Sequence, residues 1–83
     1  MHQYRTNGTC STEITFDLID GRVHNVAFAN GCRGNLQGIG RLVEGMEARE
    51  VIARCKGVQC HGGTSCPDQL AKALEKALAQ GAN

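Results

Sequence analysis

The sequence predicts an α+β domain: a small antiparallel β-sheet of two to three strands followed by three helices packed on one face. Three observations predict it. Residues 12–19 alternate, with Ile14, Phe16 and Leu18 on one side and Glu13, Thr15 and Asp17 on the other, which is the period of a half-buried strand. Asp20-Gly21 then marks a turn into a second apolar pattern containing Val26 and Phe28, as in a hairpin. From Leu36 onward the apolar residues recur at helical rather than strand spacing.

The hairpin register follows from the loop. A two-residue Asp20-Gly21 loop would pair Ile14 with Ala27 and turn Val26 and Phe28 to the wrong face. A three-residue loop, Ile19-Asp20-Gly21 with Gly21 left-handed in a bulge, pairs Ile14 with Val26 and is the expected form. His24 is then expected on the face of Val26 and Phe28 as a half-buried residue. Gln3-Tyr4-Arg5-Thr6 supplies a third strand, with Asn7-Gly8 as the turn toward Cys10 and Ser11.

A glycine-rich turn, residues 30–35, leads into the first helix. Asn35 suits its N-cap, and Leu36, Ile39, Leu42, Val43 and Met46 form its stripe. Gly38 and Gly40 cost such a helix about 1 kcal/mol each relative to alanine, so close approach to another element is their expected role. Gly45 ends it. Residues 47–55 form a second helix with Val51, Ile52 and Cys55 inward, stopped by Gly57. After an irregular loop, Cys66 is expected at the N-cap of the last helix and Pro67 at its first position. Leu70, Ala71, Leu74, Ala77 and Leu78 make its apolar stripe.

Residues 1–83 are read as a single domain. A chain this short buries roughly 60% of its unfolded surface, so a metal, a disulfide or a partner subunit is a natural addition to its core. No stretch reaches the roughly 18 apolar residues of a membrane span. The opening Met1-His2-Gln3-Tyr4-Arg5 lacks the apolar run of a signal peptide. Five cysteines in 83 residues is an odd count, below the roughly 8–10% of a secreted disulfide scaffold. A reducing cytoplasmic setting is expected. Nine basic and eight acidic residues are interspersed, and three aromatic residues are present. That composition lacks both the basic cluster and the stacking surface of a nucleic-acid binder.

Cys10, Cys32, Cys60 and Cys66 each lie in or beside a glycine- or serine-containing turn, whereas Cys55 falls on a helix's apolar phase. Turns and helix starts expose backbone N–H groups that favour a thiolate, as nucleophile or as ligand. Cys55 reads as a core residue. Four thiolates suit zinc or an iron–sulfur cluster, but no Cys-x-x-Cys pair occurs, so spacing alone favours isolated or redox-active thiols over a metal site. His61 is a possible substitute ligand beside Cys60, and His2 reads as solvated. The glycines between Gly31 and Gly40 have neither the Walker ending nor the dinucleotide pattern. Arg33 and Arg41 flank that helix and read as solvated. Asp17, Asp20, Glu44, Glu47 and Glu50 fall at turns or polar positions, and no catalytic triad order is present.

Thr64-Ser65-Cys66-Pro67-Asp68 spells the motif that names the TSCPD domain family, and the chain resembles the small stand-alone, four-cysteine branch of it. The likeness extends through Gly8 to Ile14, Gly31 to Ile39, Leu42 to Met46 and Cys60 to Leu74. It implies that Cys10, Cys32, Cys60 and Cys66 are the family's four cysteines; Cys55 has no counterpart. Arg33 stands where many members carry proline or another small residue. Related domains occur at the C-terminal end of some cobalamin-dependent ribonucleotide reductases, but this chain is far too short for the reductase barrel. Phe28 to Cys32 followed by Val43-Glu44-Gly45 is also similar to the strand, Gly-Cys turn and helix of iron–sulfur scaffold proteins.

The expected function is a binding domain whose metal ligands are Cys10, Cys32, Cys60 and Cys66, holding zinc or an iron–sulfur cluster. As an alternative, the cysteines form a thiol relay with a larger oxidoreductase of the ribonucleotide reductase type. A third reading is a homodimer, formed through the glycine-bearing helix or the sheet edge, that binds a nucleotide or flavin. Whether the chain is an enzyme is left open, and a complete enzyme is not expected.

Overall fold

A computed structural model describes residues 2–6, 11–30, 33–58 and 65–81. Three strands, β1 (His2–Arg5), β2 (Glu13–Ile19) and β3 (Arg22–Ala29), precede three helices, α1 (Arg33–Val43), α2 (Ala48–Cys55) and α3 (Cys66–Ala79). The sheet is antiparallel with order β1-β2-β3. This is the α+β arrangement that the change of apolar period predicts.

Alternation places Ile14 and Phe16 of β2 in the core, where they meet Val23 of β3, Val51 of α2 and Leu70 and Leu74 of α3. Each of these six side chains is at most 1% exposed. On β1, His2 and Tyr4 lie opposite Phe16 and Ile14. The His2 and Phe16 rings stack at 5.3 Å, and the Lys76 ammonium of α3 sits 5.9 Å from the Tyr4 ring centre. The other sheet face carries Gln3, Arg5, Glu13, Thr15 and Asp17, the side-chain pattern of an antiparallel sheet open to water on one face.

The hairpin differs from the expected one. Ile19 pairs with Arg22 across a two-residue turn, Asp20-Gly21, with φ of 52° and 77°, the positive values of the primed hairpin turns. Ile14 opposes Phe28, not Val26, and between Thr15↔Ala27 and Asp17↔His24 the register shifts. There one residue of β2, Phe16, stands against two of β3, Asn25 and Val26. The extra residue is Asn25, at φ 57°.

The bulge explains how a two-residue turn is accommodated. It reverses the parity of β3, so Val23 faces the core before it and Val26 and Phe28 face the core after it. His24 opposes Asp17 and so takes the outer face, away from Val26 and Phe28.

β3 is an edge strand, and its backbone is covered by the segment after α1. Val23 donates to the Met46 carbonyl at 2.8 Å and accepts from Gly45 at 2.7 Å, while Ala48 donates to the Gly21 carbonyl at 2.9 Å. Arg22 Nη1 adds a 2.8 Å bond to the Gly45 carbonyl. α1 runs beside the same strand. A Cβ on Gly40 would stand 2.8 Å from the Val26 carbonyl oxygen, whereas one on Gly38 would meet nothing within 4 Å. The close-approach role expected of both glycines therefore belongs to Gly40. α1 begins at Arg33, ahead of the expected Asn35 cap. α2 matches its expected span, with Glu47 as N-cap and Gly57 at φ 86° just past Lys56.

No helix among the described residues is long and apolar enough to cross a membrane.

Candidate functional site

The start of α3 carries the chemistry that the sequence singled out. Ser65, not Cys66, is the N-cap: its Oγ accepts the Asp68 N–H at 3.1 Å, and Cys66 and Pro67 occupy the first two helical positions. A serine three residues before an acidic residue is a helix-start signature that is legible in the sequence. Serine outranks cysteine as a cap because its short hydroxyl is a strong acceptor for an N–H of the first turn. Proline at the second position forgoes an N–H that has no intrahelical partner.

Asp68 does more than begin the helix. It is 4% exposed, and its Oδ1 accepts the Gly57 N–H at 2.8 Å while Lys72 lies 3.4 Å from Oδ2. The Ser65 hydroxyl in turn donates to the Val58 carbonyl. Val58 and Ser65, the described residues on either side of the segment 59–64, are thus tied to each other and to α3.

Cys66 is 8% exposed, and its sulfur lies 3.2 Å from the Ser11 hydroxyl, itself 2% exposed. That contact joins the start of α3 to the entry of β2. Around Ser11 the strand ends are cross-tied. Thr6 donates its N–H to the Thr12 carbonyl at 3.2 Å and its hydroxyl to the Ser11 carbonyl. Thr12 donates to the Ala29 carbonyl at 2.8 Å, and the Asn30 amide donates to the Thr12 hydroxyl at 2.9 Å.

Of the four expected ligands, Cys66 is the one within the described residues. Cys10, Cys32 and Cys60 lie outside them, as does His61. Their chain neighbours are described. In sequence, Cys10 is one residue before Ser11, Cys32 two after Asn30, and Cys60 two after Val58. Ser11, Asn30, Val58 and Ser65 are linked through the Thr12, Cys66 and Ser65 contacts into one end of the molecule. Among the described residues no three His, Cys, Asp or Glu side chains group as a metal-binding set.

Cys55 is half-buried against the core cluster, and burial pushes its thiol above the ordinary 9.0. An apolar surround of this kind holds the thiol protonated and inert, in keeping with its expected core role.

A second polar cluster lies at the β3 bulge, where the sequence predicts solvated Asp17 and Glu44 and a half-buried His24. The two oxygens of Glu44 take the Asn25 N–H at 2.8 Å and the His24 Nδ1 at 2.6 Å, and the Asn25 amide donates to Asp17 at 2.9 Å. The Asn25 N–H, followed by His24, holds the Glu44 carboxyl below its ordinary value; the Asn25 amide does the same for Asp17. The sequence signal was the three-residue step from Val23 to Val26, which a bulge alone reconciles with a common core face.

No match to the chain was found among curated proteins or among solved structures. The family model of the TSCPD domain matches residues 2–78, and that span takes in all three strands, nearly all of the three helices and the Ser65-Cys66-Pro67-Asp68 helix start. The chain belongs to the TSCPD domain family.

Proposed function

We propose that this chain is a four-cysteine member of its family and that Cys10, Cys32, Cys60 and Cys66 together hold a zinc ion or an iron–sulfur cluster. The observation that carries the reading is the 3.2 Å contact between Ser11 and Cys66. It brings the chain position next to Cys10 against the sulfur that opens α3.

The donor set suits the group. Four thiolates favour zinc or iron–sulfur over hard cations such as magnesium or calcium. Cys66 holds the first position of α3, the positive end of the helix dipole, which suits an anionic ligand or cluster. The Ser11 hydroxyl, in hydrogen-bond contact with the Cys66 sulfur, fixes the direction of that side chain. The group would supply cross-links among loops that the small core leaves to local hydrogen bonds, and its binding would add to folding free energy.

Metal and iron analysis of protein purified anaerobically tests the reading. About one equivalent of zinc, or iron and sulfide with visible charge-transfer absorption, is expected. Less than about a tenth of an equivalent of either metal overturns it. A metal-free protein with a reversible Cys60–Cys66 disulfide would instead establish the thiol-relay reading.

A further inference from the structure

Asp68 reaches out of its own helix. It holds the third position of α3 after the Ser65 cap, where an acid can turn back to the cap's own N–H. Its Oδ1 instead takes the Gly57 N–H at 2.8 Å, from a residue 11 positions earlier in the chain. The side chain is buried, and a buried carboxylate is costly unless hydrogen bonds replace its hydration. A helix start does not require that burial, because an exposed acid in the first turn interacts with the dipole as well. The burial therefore serves the contact with Gly57, and exposed Lys72, 3.4 Å from Oδ2, offsets the charge.

Gly57 is where α2 gives way to the segment that carries Cys60. The Lys56 N–H closes α2 on the Ile52 carbonyl, and Gly57 follows at φ 86°. A left-handed residue after a helix redirects the chain at once. With the Gly57 N–H held by Asp68, the direction in which the chain leaves toward Val58 is fixed. The Ser65 hydroxyl then holds the Val58 carbonyl. Both bonds run from the start of α3, which carries Cys66, to the last described residues before Cys60. Two residues span at most roughly 7 Å, so a Cys60 tethered at Val58 stays within reach of that helix start.

We infer that Asp68 is a positioning residue for the proposed metal site: by holding Gly57 it fixes the exit of α2, and so pre-arranges Cys60 against Cys66 before a metal arrives. This rests on the four-cysteine reading. A ligand segment already held near its bound arrangement loses less freedom on binding. Supports of this kind around metal ligands are worth roughly 10–100-fold in affinity. Lys56 and Glu75, at 2.9 Å, also join α2 to α3, but through exposed side chains and not through the backbone of the exit. That pair is the control.

The test uses the full chain, stripped of metal under reducing conditions and titrated with zinc against a chromophoric chelator. Cobalt, read by its thiolate absorption, reports occupation of the same sulfurs. Asp68→Ala should lower zinc affinity by roughly 10–100-fold. Asp68→Asn keeps an acceptor oxygen for the Gly57 N–H without its charge and should lose only about fivefold. Glu75→Gln should leave the affinity unchanged. Affinities are compared for variants whose metal-free amide spectrum matches that of the unsubstituted chain, and Asp68→Asn decides alone where the alanine variant does not fold. Unchanged affinity in the Asp68 variants overturns the inference, as does an equal loss in Glu75→Gln, which would mean that any loosening of α2 against α3 suffices. Failure of both Asp68 variants to fold, or of the unsubstituted chain to fold without metal, also overturns it, since the residue would then serve the fold and pre-arrange nothing. An unsubstituted chain that takes up neither zinc nor cobalt overturns the metal reading itself, and this inference with it.

Discussion

The carboxylate of Glu44, just past α1, accepts the backbone N–H of Asn25 at 2.8 Å and so closes the β3 bulge from outside the sheet. The bulge leaves one N–H of β3 out of the ladder, and an unmet polar group at a strand edge weakens pairing. Glu44 satisfies it and gathers His24 with its second oxygen. The position of α1 beside β3 is thereby tied to the residue that sets the strand's register.

The pH dependence of that tie has a definite sign. The Glu44 carboxyl is held below its ordinary 4.5 in the folded protein, so its contribution is full above the unfolded value and is lost as pH falls through the folded one. Stability should begin to decline as pH drops below that ordinary value. Glu44→Gln should flatten that decline, read by urea denaturation at a series of pH values, and carboxyl titration by NMR should place Glu44 below its ordinary 4.5. An ordinary midpoint for Glu44 would contradict the bond.

Gly40 and Gly38 should respond oppositely to alanine. At Gly40 the new Cβ meets the Val26 carbonyl at 2.8 Å, an overpacking contact with backbone on both sides, and a loss of about 1–3 kcal/mol is expected. At Gly38 the space is open, and removing a helix-interior glycine should gain up to about 1 kcal/mol. Thermal melts of the two variants decide it, and a stabilised Gly40→Ala would show that α1 does not press on β3.

Ser65→Ala removes the cap of α3 and the bond to the Val58 carbonyl together. The expected cost is about 1–2 kcal/mol by chemical denaturation, with Ser65→Asp recovering part of it by capping alone. If alanine is silent, the helix start is held by Asp68 without help.

Asn25 tests the bulge. At φ 57° a β-branched side chain is strained, so Asn25→Val should cost roughly 1–2 kcal/mol more than Asn25→Gly. Equal losses in the two variants would mean that the strand straightens.

The cysteines should separate by chemistry. With its thiol pushed above 9.0 by burial, Cys55 should alkylate at neutral pH more slowly than a free thiol, and Cys55→Ala should leave bound zinc or iron unchanged. On the proposed metal site, Cys32→Ala should lower metal content to near background. Loss of metal in the Cys55 variant would move the site into the core.

The sequence by itself determined the order of elements and the sides of most of them. Ile14 and Phe16 alternate with polar residues, and Leu70, Ala71, Leu74 and Ala77 repeat at helical spacing, so burial of one face or stripe followed from period alone. It also marked Cys66 and its helix start. Strand register was not legible in the same way, because a hairpin can absorb an odd residue in its turn or within its strand. The turn took two residues and the bulge fell at Asn25, where Glu44, 19 positions away, could satisfy the freed N–H. The role of Gly40, the reach of Asp68 to Gly57 and the meeting of Ser11 with Cys66 were likewise decided by tertiary structure. Each depends on which backbone or side-chain group of a distant segment arrives within hydrogen-bond or van der Waals distance, and local periodicity carries no information about that.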